Sequence, residues 1–250
     1  MYNLFRSSPN IFIHLSIVLT LSIAVPVKSQ PASLTNCASR LAYPSPVMNR
    51  EGDQQANALR QTQSLLDELI SESYPELHDT EIQIRLFQGR SDFFRTRFGI
   101  PQFLFGGKMR YIISVNPRVF EWQAPEAGVR AIVAHELAHI LYFKQHNRMR
   151  HFGLVRLALT KFTARFERRT DLEAISRSYG TGLKEYRQWL YQHIPQNKLL
   201  EKRRNYFSPD EIDAILSLSR QRPELLDYWR RHAPRNIQDI SQPPSSAFAK

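Results

Sequence analysis

The sequence predicts an α+β fold: a single, mainly helical domain with a small sheet. Three observations predict it. Over residues 51–72 (EGDQQANALRQTQSLLDELISE) the apolar positions Ala58, Leu59, Leu65, Leu66, Leu69 and Ile70 recur at helical spacing. Two short segments read as strands: Glu81 to Gln88, where Ile82, Ile84 and Leu86 alternate with polar neighbours, and Met109 to Asn116 (MRYIISVN). From residue 125 onward the chain reads mainly as helices and their punctuation.

The elements follow in order. Phe98-Gly99-Ile100-Pro101 and Gly106-Gly107 mark a loop between the strands. Pro125 suits the first turn of a helix and Glu126 favours its positive end, so a helix is expected from there to Lys144. Residues 146–156 are basic and irregular. A long helix is expected from Val155 or Ala158 to Ser178, broken by Gly180 and Gly182. Leu183 to His193 is a further helix, stopped at Pro195. Ser208-Pro209-Asp210-Glu211 has the cap, first-position proline and third-position acid of a helix start. Residues 30–50, rich in Pro, Ser, Ala and Asn, read as a linker. The domain is therefore expected over 51–235, and 236–250 read as a disordered tail.

The N-terminus reads as an address. Residues 1–10 carry Arg6 and no acid, and 11–25 (IFIHLSIVLTLSIAV) form an apolar run ended by Pro26. This is a signal-peptide pattern, with cleavage expected after Ser29 and a single N-terminal membrane anchor as the competing reading. In both cases the remaining chain is expected outside the cytoplasm, periplasmic or secreted. No later segment is long and apolar enough for a span.

The formal net charge is +11; Arg6 and Lys28 lie in the acid-free first 29 residues, leaving +9 beyond them. Such a charge fits either an ordinary solvated surface or attraction to an acidic envelope surface such as anionic lipid or wall polymer. The basic residues are scattered and form no recognisable nucleic-acid module, so no specific nucleic-acid partner is expected. A lone cysteine, Cys37, excludes an internal disulfide and a cysteine-based metal site.

The chemistry is concentrated in Ile132-Val133-Ala134-His135-Glu136-Leu137-Ala138-His139-Ile140, an H-E-x-x-H pattern on a predicted helix. Four residues advance a helix by roughly 400°, so His135 and His139 share a face one turn apart and can bind one zinc ion. Glu136 projects about 100° round from His135, beside the metal, where it can act as general base on a water. Ala131, Ile132, Ala138, Tyr142 and Phe143 lie on the same side, so both imidazoles are expected to point inward, where unliganded histidines would need polar partners. A catalytic zinc takes a third protein ligand. In Phe166 to Ile175 (FERRTDLEAI), Glu167 and Asp171 fall within about 40° of each other on the small, apolar face, while Glu173 falls on the solvent side. Glu167 is therefore the expected third ligand, and Asp171 the acceptor that orients a ligating imidazole. His146 and His151 are the alternative source of a third ligand.

His135-Glu136-x-x-His139 followed by Glu167-x-x-x-Asp171 resembles the zincin peptidases with a glutamate third ligand. It is most similar to the group of the prenyl-protein (CAAX) endopeptidases, the HtpX-type heat-shock proteases and the Oma-type mitochondrial protease. The resemblance covers roughly residues 109–176. It implies a zincin-like domain with one Zn2+ held between two helices by His135, His139 and Glu167, with Glu136 as general base and Asp171 in an orienting role. Family members often carry an acid and an alanine where this chain has Arg169 and Thr170. Many span membranes several times, and others carry helical repeats absent here. In zincins generally an edge strand before the motif helix binds substrate backbone; Met109 to Asn116 sits in that place in the chain, and a core strand is the equal alternative for it. Tyr179, Tyr186, Arg187 and His193 are candidates to stabilise the oxyanion. The expected activity is peptide-bond hydrolysis on a protein or peptide. The alternatives are a zinc amidase acting on cell-wall peptides and a non-catalytic, basic envelope-binding protein with a structural zinc.

Overall fold

The apolar stripe of residues 51–72 becomes helix α1 (Arg50–Ser73), which buries Ala58, Leu66 and Leu69. This is seen in a computed structural model that describes residues 50–98, 109–145 and 160–243. After a 3-10 turn (Pro75–Leu77) come strands β1 (Glu81–Leu86), β2 (Phe94–Phe98) and β3 (Arg110–Val115). The helices that follow are α2 (Arg118–Glu121), α3 (Glu126–Gln145), α4 (Thr160–Ser176), α5 (Gly180–His193), α6 (Gln196–Asn205), α7 (Pro209–Gln221), α8 (Glu224–Arg231) and α9 (Ile237–Ser241). Residues from Arg50 onward form one compact unit, mainly helical with a small sheet, as the sequence predicts. The N-terminal segment, the linker, Cys37, His146 and His151 lie outside the described residues. No helix among the described residues is long and apolar enough to cross a membrane.

The sheet has the order β1-β3-β2. Parallel β1 pairs Glu81 with Arg110 through Leu86 with Val115, and antiparallel β2 pairs Phe94 with Val115 through Phe98 with Tyr111. Of the two expectations for Met109 to Asn116, the core strand holds and the substrate-pairing edge strand does not. β3 is the central strand, hydrogen-bonded on both sides, with Tyr111, Ile113 and Val115 in the core. Its apolar sequence fits that place, because a strand paired on both sides is the one most fully packed. The unforeseen strand is β2 (FRTRF), in which Phe94 and Phe98 alternate with Arg95 and Arg97 but are the only two apolar residues to signal it.

α3 is the central helix. Positions 128–141 are buried except Arg130, because α1, α4, α5 and the sheet all pack on it. Close approach of α5 depends on two glycines. A Cβ on Gly182 would collide with the Ala127 carbonyl oxygen, and one on Gly128 would press on the Tyr186 backbone at 3.1 Å. Gly180 and Gly182 therefore do not break a helix; they begin α5, where Gly182 lies against α3 and Gly180 against Leu216 of α7. The break falls just before them, at Ser178, whose φ of 75° takes the left-handed turn that ends α4. The tail expectation is also corrected in part. Asn236 caps α9 and Ile240 is fully buried in a second cluster with Phe207, Ile212, Ile215 and Trp229.

Candidate metal centre

α3 and α4 bring the four predicted metal-site residues together. His135 and His139 are both almost fully buried, one turn apart on α3, and Glu167 and Asp171 face them from α4. Nε2 of His135 lies 3.1 Å from Nε2 of His139, and Oε2 of Glu167 lies 3.3 Å and 3.2 Å from the two nitrogens. These three atoms form a compact group that can hold a metal ion.

The opposite nitrogen of each imidazole decides the tautomer. Nδ1 of His135 is 2.8 Å from Oδ1 of Asp171, as the sequence predicts, although the approach is off the ideal N–H line. At this separation in a dry interior the ring N–H and the carboxylate attract even off that line. Asp171 is fully buried and held on three sides. Besides His135, its Oδ1 accepts from Nη2 of Arg187 at 3.0 Å, and its Oδ2 accepts from the Phe207 backbone N–H at 3.1 Å. His139 is backed differently. Thr170 donates its hydroxyl hydrogen to the Phe166 carbonyl at 3.0 Å, so its oxygen is left to accept from Nδ1–H of His139 at 3.3 Å. With Nδ1 protonated on both rings, both Nε2 atoms turn lone pairs toward the Glu167 carboxylate. Three electron-rich atoms at this spacing repel unless a proton or a cation lies among them. This is the fit the donor set offers a metal ion.

Protonation of the metal-free protein follows the same logic. Burial disfavours the His135 imidazolium, but the Asp171 and Glu167 carboxylates outweigh it and raise the ring from 6.5 to about 9. Burial would raise Glu167, yet His139 and His135 hold it well below the usual carboxylate range. Asp171 is likewise lowered against its burial, chiefly by Arg187 and then by His135.

Around the triad the walls differ. Phe166 lies 4.9 Å from the His139 ring and Phe143 lies 6.5 Å away, an apolar wall on that side. β2 touches the motif helix directly, since the Thr96 hydroxyl donates to the Glu136 carbonyl at 3.2 Å. The Glu136 side chain is nearly buried, and its carboxylate has no hydrogen-bond or ion-pair partner among the described residues.

The other sequence candidates do not reach the centre. Tyr179 shares a hydrogen bond with Ser73 at 2.7 Å. Tyr186 is buried where α5 crosses Gly128. Arg187 is committed to Asp171, and His193 stacks on Trp189 with Nδ1 2.7 Å from the Trp189 carbonyl. Glu173, expected on the solvent side, is half-buried and pairs with Arg177 and Arg230. Two residues at the centre were missed, Thr170 and Tyr206. Thr170 could have been found from the same helical wheel, because it sits beside Glu167 on the inner face.

No family model, no curated protein and no solved structure matches the chain.

Proposed function

We propose that this chain is an exported zinc metalloendopeptidase, related in its site to the CAAX, HtpX and Oma-type peptidases. The observation that carries this reading is the meeting of His135, His139 and Glu167 at separations of 3.1 to 3.3 Å, with the Glu136 carboxylate, unpartnered among the described residues, on the next residue of the motif helix. Zinc is favoured by the donor types and by their spacing. Ligands about 2.0–2.1 Å from a tetrahedral ion stand roughly 3.3 Å apart. Two imidazoles and one carboxylate also match the ligand set of catalytic zinc, which leaves one position for water.

When bound, zinc supplies polarisation of the substrate carbonyl and a water whose pKa falls to about 7. The chain's own residues do the rest. Glu136 takes the proton of the attacking water and passes it to the leaving amine, which balances the hydrolysis. Asp171 and Thr170 hold the two imidazoles in one tautomer. β2 is an edge strand among the described residues and is bonded to the motif helix at Glu136, so a peptide backbone added along it would run past the general base.

Elemental analysis of the purified protein beside Glu167→Ala, with turnover measured on Glu136→Gln, tests the reading. We expect one zinc per chain in the wild type and its loss or sharp weakening in Glu167→Ala. Glu136→Gln should keep the metal and lose about 10²–10⁴-fold in kcat. No zinc after metal-replete purification would sink the proposal. Full activity in Glu136→Gln would remove the mechanism.

A further inference from the structure

Glu136 serves the water, and the ligand triad serves the metal. No residue assigned so far gives a hydrogen bond to the substrate oxygen that gains charge when water attacks. Tyr206, the residue that follows α6, packs beside this centre. Its ring centroid lies 5.9 Å from the His135 ring. Burial pushes its phenol well up, and the Glu167, Asp92 and Glu136 carboxylates add to that push against the opposing pull of Arg187. Among the described residues the phenol oxygen has no hydrogen-bond partner, although the rest of the residue is held firmly.

The hold is specific. The Arg187 guanidinium lies 4.3 Å from the Tyr206 ring centroid, and the same guanidinium donates to Asp171. Asp171 also accepts from the backbone of Phe207, the residue next to Tyr206. On the α6 side, Lys202 sits 5.1 Å from the ring and is tied to Asp92 at 2.6 Å. One buried carboxylate therefore fixes both the back of the ligating His135 and the segment that carries Tyr206. A hydroxyl left without a partner at the end of so constrained a ring is preorganised for an external acceptor.

We propose that Tyr206 is a catalytic residue, donating a hydrogen bond to the substrate carbonyl oxygen during water attack. The inference rests on the peptidase reading above. As the water oxygen bonds to the carbonyl carbon, the carbonyl π pair moves onto its oxygen and Glu136 takes the water proton. Tyr206 keeps its own proton throughout and shares it as a hydrogen bond. Collapse returns the pair to the carbonyl and breaks the C–N bond, and the amine leaves with the proton from Glu136.

The test is Tyr206→Phe in the full chain, which keeps the ring on Arg187 and His135 and removes only the hydroxyl. Zinc content, melting temperature, kcat and KM on quenched fluorescent peptides, and calorimetric affinity for a phosphinic pseudopeptide are measured together. We expect metal and melting temperature to match the wild type, and kcat to fall about 10²–10³-fold with KM little changed. Phosphinate affinity, which reports the tetrahedral state without turnover, should fall with kcat. A Tyr206→Phe chain that matches an active wild type in kcat and phosphinate affinity overturns the assignment alone. Loss of metal in Tyr206→Phe also overturns it, by making the hydroxyl structural. A wild type that holds its zinc and hydrolyses nothing removes the peptidase reading and this assignment with it.

Discussion

Helix α4 carries two charged clusters on adjacent residues, and they are built on opposite plans. Arg168 faces α7 and pairs with Glu211 at 2.8 Å, with both side chains about nine-tenths buried. Its guanidinium also lies over the Phe207 ring, and Glu211 accepts from the Ser208 N–H while closing the capping box of α7. Every charge there has its opposite. Glu167, one residue earlier, faces two imidazoles whose outer nitrogens are already committed, so three acceptor atoms converge and only a proton or a metal cation among them relieves the repulsion. A balanced buried cluster is scaffold. A buried cluster that closes only around a proton or a metal cation can exchange one for the other.

The comparison breaks or holds on a pair of variants. Arg168→Met leaves Glu211 buried and unpaired, and we expect about 3–5 kcal/mol of lost stability with metal stoichiometry unchanged. Glu167→Ala should do the reverse, costing metal and leaving the metal-free fold nearly as stable. Urea unfolding with and without a chelator, beside zinc analysis, checks both. If Arg168→Met also lost its metal, the two clusters would be one network and the distinction would fail.

Legibility in the sequence divides along the same line. His135, Glu136, His139, Glu167 and Asp171 were readable because helical periodicity alone puts them on facing sides of two helices. α1, β1, β3 and the capping box at Ser208 were readable because each is signalled within a few residues. Tyr206 was not, because its place depends on contacts from Arg187 on α5 and on the Phe207–Asp171 bond across the fold. β2 was hidden because Phe94 and Phe98 are its only apolar residues, and the choice between edge and core strand for β3 stayed open because pairing order is not written in chain order. Gly180 and Gly182 show the commonest confusion. The same absence of a side chain marks a helix end or a close helix crossing, and only the partner surface tells which.

The two histidines offer a second, smaller comparison. His135 is backed by a carboxylate and His139 by a hydroxyl, at the position where the resembled family often has alanine. Thr170→Val keeps the shape and removes the acceptor. Zinc affinity from chelator competition should weaken by about 10–100-fold, and Thr170→Ser should restore most of it. Equal affinity in the valine variant would mean that packing against Phe166 alone orients His139.

The smallest effect is also the one whose sign is most constrained. In the metal-free protein His135 is raised from 6.5 to about 9, so at neutral pH its ring is an imidazolium. A group raised on folding contributes stability fully below its unfolded value and loses it as pH climbs through the folded one. The metal-free fold should therefore weaken between pH 6.5 and about 9. Metal needs the neutral ring, so its affinity should strengthen over that same window, by up to about tenfold per pH unit. Calorimetric titration of zinc in buffers of different ionisation enthalpy should count about one proton released at pH 7, with less released from Asp171→Asn. The Asp171→Asn arm separates causes, since it removes the carboxylate charge that holds the proton and leaves the burial that opposes it. No proton release from the wild type would mean that burial outweighs both carboxylates. The converging lone pairs would then stand unrelieved in the metal-free protein, and the pull of the site on a cation would be stronger still.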